Sequence, residues 1–80
     1  MDLKTEIFQV ISETFEIPVQ DIREEMMPID IHKWDSLGQL NLVNALERKF
    51  NIFFETEDIF KIISIQTIVD LISEKVPNEA

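Results

Sequence analysis

Three stretches of the sequence place apolar residues every three or four positions, and that spacing restricts what the chain can fold into. Leu3, Ile7, Val10, Ile11 and Phe15 form the first set, with Lys4, Glu6 and Glu13 between them. Leu37, Leu40, Val43, Leu46 and Phe50, widened by Leu42, form the second. Ile65, Ile68, Val69, Leu71, Ile72 and Val76 form the third. Each set predicts a helix with one face turned to a shared core. A single Gly and three Pro in 80 residues leave few sharp turns for a meander of short strands.

The punctuation between these sets is local. Pro18 disfavours helix at Ile17, so the first helix is expected to end near Phe15 or Glu16. Asp35 is a good N-cap for the second helix, and Asn51 suits its end. Thr56 is expected to cap a short helix through about Lys61, with Glu57 and Asp58 near its positive end. Ser64 caps the last helix and Pro77 stops it. Between helices one and two, about Val19 to Lys33, no period is sustained, and a long loop is expected. Ile22, Met26, Ile29 and Ile31 are its candidate anchors, because an unpinned loop of this length is uncommon in a small domain. Ile52-Phe53-Phe54 is β-prone but has no partner strand, so it reads as a connector whose aromatics fill the core. The expected fold is all-α: a four-helix bundle of three longer helices and one short one, forming a single domain over residues 1–80.

Charge narrows the function. Sixteen acidic residues against seven basic ones give a net charge of −9, the opposite of what phosphate neutralisation requires of a nucleic-acid binder. Anionic membrane surfaces are disfavoured for the same reason, and no apolar run approaches the length of a membrane span. Protein partners with basic faces are favoured, and a cytoplasmic monomer is the expectation. The chain has no Cys, which excludes disulfides, thiolate metal sites and a Cys nucleophile.

The candidate site lies where the loop turns into the second helix, at Trp34-Asp35-Ser36-Leu37. A Ser at a helix start is ordinarily a cap. Here Asp35 already holds the better capping position, which leaves the Ser36 hydroxyl free beside the positive end of the helix dipole. The segment from Trp34 through Gly38, Gln39, Leu40, Asn41, Leu42, Val43, Asn44, Ala45 and Leu46 to Glu47 resembles the phosphopantetheine attachment region of acyl and peptidyl carrier proteins. The resemblance continues through Phe50-Asn51-Ile52 and Ile65-Gln66-Thr67 and covers essentially the whole chain.

That resemblance implies an acyl carrier protein and not an enzyme: no residue is assigned a catalytic role, and no metal site is expected. Ser36 would carry a covalent 4'-phosphopantetheine, whose terminal thiol holds the acyl group as a thioester. Asp35 would cap the helix and orient a phosphopantetheinyl transferase, and Leu37 with the face around it would meet partner enzymes. Those partners are the transferase, an acyl- or aminoacyl-loading ligase, and a downstream acyltransferase or synthase. Carriers of fatty acid synthesis resemble this chain but are acidic along the exposed side of the second helix, where this chain has Gly38 and Asn41, with Arg48 and Lys49 following Glu47. A specialised stand-alone carrier is therefore expected. The alternatives are a stand-alone peptidyl carrier loaded with an amino acid, or an unmodified helical adaptor.

The remaining polar residues have plainer readings. His32, Asp35 and Ser36 invite comparison with a hydrolase triad, but three neighbours on one loop rarely meet as an oriented base and nucleophile, so His32 is expected to be solvated or at the rim of the arm. Trp34 is expected to pack the loop onto the second helix, or to wall the arm. Met26 and Met27 read as adaptable filler, and Gly38 as a position where a partner approaches closely beside Ser36. Glu24, Glu25 and Asp30 with Asp35, or Glu47 with Glu55, could collect divalent cations weakly, but without EF-hand spacing they are expected to be solvated acidic faces. Self-repulsion at −9 acts against a small core, so moderate salt is expected to raise the thermal midpoint followed by circular dichroism. A midpoint that stays flat or falls would show that repulsion is not limiting.

Overall fold

Apolar periodicity becomes four helices in the computed structural model, which describes residues 2–76. Helix α1 spans Leu3–Phe15, α2 Ser36–Phe50, α3 Thr56–Phe60 and α4 Ile65–Lys75, with no strand among the described residues. The architecture is the expected all-α bundle with a long connection between α1 and α2. Ile7, Ile11 and Phe15 of α1 meet Leu42 and Leu46 of α2 and Ile65, Ile68 and Ile72 of α4 in one core. Complete burial of such a side chain contributes about 1.5–3 kcal/mol, so these eight positions are major contributors to the stabilisation.

The helix ends follow from side-chain chemistry. Asp2 caps α1 by accepting the Thr5 N–H at 2.8 Å. The helix closes with Glu16 in the left-handed region, at φ 59°, and Ile17 N–H returns to the Ser12 carbonyl at 3.2 Å. Asn51 closes α2 in the same way, at φ 56°, with Ile52 N–H on the Glu47 carbonyl at 3.2 Å. Ser64 caps α4 by accepting Thr67 N–H at 3.3 Å, and the Thr67 hydroxyl accepts the Ile63 and Ser64 N–H groups at 3.0 Å. The stop expected at Pro77 lies outside the described residues; α4 has already ended at Lys75.

Four sequence expectations are corrected. Glu55, not Thr56, is the N-cap of α3, because Asp58 reaches back to accept Glu55 N–H at 3.0 Å and draws the start one residue earlier. Ile29 is 89% exposed, whereas Ile22 and Ile31 are buried and Met26 is partly so. It sits in a 3-10 turn, Pro28–Asp30, held by Met27 N–H on the Asp30 carboxylate at 2.9 Å, which turns its side chain outward. Phe53 is 71% exposed while Phe54 is buried. In extended chain neighbours point to opposite sides, and Glu47 holds the Phe54 N–H at 2.9 Å, so only Phe54 faces inward. Leu37 and Leu40 are 68% and 54% exposed, because the buried sector of α2 is centred on Leu42 and Leu46, the side that α1 covers.

The loop is tied down by its backbone as much as by its side chains. Glu24 and Met26 carbonyls accept the N–H groups of Gln66 and Ile65 at 2.9 Å, so the loop partners amides that the first turn of α4 leaves open. At the other end of α4, Lys75 meets Asp58 at 2.7 Å and lies 5.7 Å from the Phe54 ring centroid, which fastens α3 to α4.

The Lys75 hydrogen bond, helped by Glu55 N–H, holds the Asp58 carboxyl below its ordinary value of 3.8. The same hydrogen bond raises Lys75 above 10.5 against an opposing effect of burial. Stability from Asp58 is therefore in place above 3.8 and lost as pH falls through its lower folded value. Stability from Lys75 is in place below 10.5 and lost as pH rises through its higher folded value. Lys75→Met is expected to flatten both limbs of the thermal midpoint against pH. A curve parallel to wild type would show that the pair does not couple folding to pH.

Candidate functional site

Trp34 sets the geometry of the site. Its ring is only 4% exposed and stacks on Phe15 of α1, with centroids 5.6 Å apart. It thus packs the loop chiefly onto α1, while its indole N–H donates to Gln39 Oε1 of α2 at 2.6 Å. The chain leaves this anchor directly into α2. Asp35 accepts Gly38 N–H at 2.8 Å, as a helix cap should, and Ser36 begins the helix exposed, its hydroxyl not needed as the cap.

Gly38 is required by the chain itself. A Cβ at this position would run into the Lys33 carbonyl oxygen, a backbone atom that cannot swing aside. The group that closes on Gly38 is the backbone of the loop preceding the site, where the sequence suggested a partner. Gly38→Ala forces the loop off α2, and overpacking of this kind costs about 1–3 kcal/mol.

Two open grooves flank the helix start. The larger, about 590 Å³, is lined by Pro28, Trp34, Asp35, Ser36, Gln39, Leu40 and Ile62. It is open to solvent along its length, and its walls are largely apolar. Gln39 gives it a polar floor: it accepts from Trp34 and donates to the Ile59 carbonyl at 3.4 Å, joining loop, α2 and α3. The smaller groove, about 350 Å³, is polar and includes Thr14, Glu16, His32, Lys33, Leu37 and Asn41. Lys33 bridges to Glu16 at 2.7 Å, and that hydrogen bond, with the lysine charge, holds the Glu16 carboxyl below 4.5.

The structure brings Ser36 to the apolar groove and Leu37 to the polar one, and Asp35 lines both. His32 is exposed and lines the polar groove, on which Ser36 does not stand. Among the described residues no hydrogen bond joins His32, Asp35 and Ser36, and no cluster of three acidic or His residues is placed to hold a metal ion. Gln39 was not legible as a site residue. Its only sequence signal is a position one helical turn after Ser36.

No protein-family model matches the sequence. Among the described residues no helix is long and apolar enough to cross a membrane.

Gly38→Ala is expected to lower the unfolding free energy in urea by about 1–3 kcal/mol and to move the Lys33 and Trp34 backbone amide resonances. A fully stable variant with unshifted resonances would remove the steric role assigned to Gly38.

Proposed function

We propose that the protein is a carrier that holds 4'-phosphopantetheine on Ser36 and presents an acyl group to other enzymes. The observation that carries this reading is an exposed Ser hydroxyl at the first position of α2, freed from capping by Asp35 and standing on an apolar groove. The resemblance of residues 34–47 to carrier attachment regions supports it independently. The arm would supply the thiol that a Cys-free chain lacks.

The residues divide the work. Ser36 Oγ forms the bond to the phosphorus of the arm, donated by coenzyme A, while the adenosine bisphosphate leaves and the hydroxyl proton passes to the transferase. Asp35 keeps the helix start rigid and Ser36 outward. The open amides of the first turn of α2 favour the phosphodiester that results. Trp34, Leu40 and Ile62 offer an apolar wall beside the attachment point. The acid-poor α2 supports a specialised carrier, served by a loading ligase and a downstream acyltransferase or synthase, over a general one of fatty acid synthesis.

Incubation with coenzyme A and a broad-specificity phosphopantetheinyl transferase is expected to add the mass of one arm, located by peptide mapping to Ser36. Ser36→Ala should fold normally and gain nothing. A wild-type chain that stays unmodified would make this an adaptor surface instead. Modification at Ser12, Ser64 or Ser73 would overturn the site.

A further inference from the structure

The outward side of α2 differs from the rest of the molecule. At about 100° per residue, Leu37, Leu40, Asn41, Asn44 and Arg48 fall within a sector of about 100°. All five are exposed, and the stripe runs about 16 Å at ~1.5 Å per residue. It contains no carboxylate. Of the 16 acidic residues α2 holds only Glu47, which lies off this sector and accepts the Phe54 N–H. Arg48 makes no ion pair among the described residues. The helix is net +1, so the remainder of the chain carries −10.

We propose that this stripe docks enzymes whose face is apolar and near-neutral, with a carboxylate opposite Arg48, in preference to enzymes with a basic face. The inference rests on the carrier reading and specifies the partner. Complementarity carries it. Leu37 and Leu40 offer apolar area next to Ser36, Asn41 and Asn44 offer amides without charge, and the one charge on the stripe is positive. A basic face would find no carboxylate on the stripe itself; Glu16 and Asp35, which border it in the polar groove, are already held by Lys33 and by the Gly38 N–H, and the field of the molecule draws such a face to its other sides. A stripe of this length makes a small interface, which suits brief encounters with successive enzymes.

The test uses the full chain, coenzyme A and two phosphopantetheinyl transferases, one with an apolar and one with a basic carrier-docking face. Loading of Ser36 is followed by mass at low and high salt. The apolar-faced enzyme is expected to be faster and to keep its rate at high salt. Leu37→Ala and Leu40→Ala should each lower its kcat/KM about tenfold, through KM, as truncated hot spots do. Arg48→Glu should also raise its KM. The exposed pair Asn41→Glu and Asn44→Glu, which disturbs no packing, should shift preference to the basic-faced enzyme and make loading salt-sensitive. Faster loading of wild type by the basic-faced enzyme, or an unchanged KM in both leucine variants, overturns the proposal while leaving the carrier reading intact. Absence of any mass gain with both enzymes defeats the carrier reading and this proposal together.

Discussion

Burial of Trp34 against Phe15 is the contact on which the arrangement at Ser36 depends. A large aromatic is the heaviest apolar group the loop can deliver to the core, and its position just before α2 fixes where that helix begins. The Asp35 cap, the Lys33 carbonyl on Gly38 and the outward Ser36 all follow within a few residues. Gln39 then passes the constraint to α3 through the Ile59 carbonyl. The site is thus built from a packed aromatic outward, not from a mobile loop tip.

Local chemistry explains why much of this was legible in the sequence. The caps at Asp35 and Ser64 and the end at Asn51 depend on residues only a few positions away, and they occur where the sequence places them. The orientation of α2 was not legible, because Leu37, Leu40, Leu42, Val43 and Leu46 surround most of the helix. Such a pattern states that α2 packs without stating which sector does. Ile29 and Phe53 sit in connectors without a period, so nothing local distinguishes an inward side chain from an outward one. At α3 cap preference points to Thr56, and the reach of Asp58 to the Glu55 N–H moves the start one residue earlier. Gln39 belongs to a network defined by tertiary position, which no spacing rule encodes.

The two left-handed residues show how the chain turns without glycine. Glu16 and Asn51 each accept an unfavourable backbone region so that the next N–H can close the helix behind it. Asn tolerates this region better than Glu does. At Glu16 the bridge from Lys33 gives the strained residue a second hold, and it links the end of α1 to the residue whose carbonyl lies against Gly38.

The backbone bonds from Glu24 and Met26 to the first turn of α4 have a consequence for the order in which the molecule comes apart. They join segments far apart in sequence, so their loop-closure entropy is recovered only once α4 has docked. When α4 detaches, the loop around Glu24 and Met26 loses both of these bonds, while Trp34 keeps its contact with Phe15 of α1. Amides of that early loop and of the α4 start should therefore exchange with solvent as one cooperative unit. The helix α4 thus holds the early part of the loop, and α1 holds the part next to Ser36.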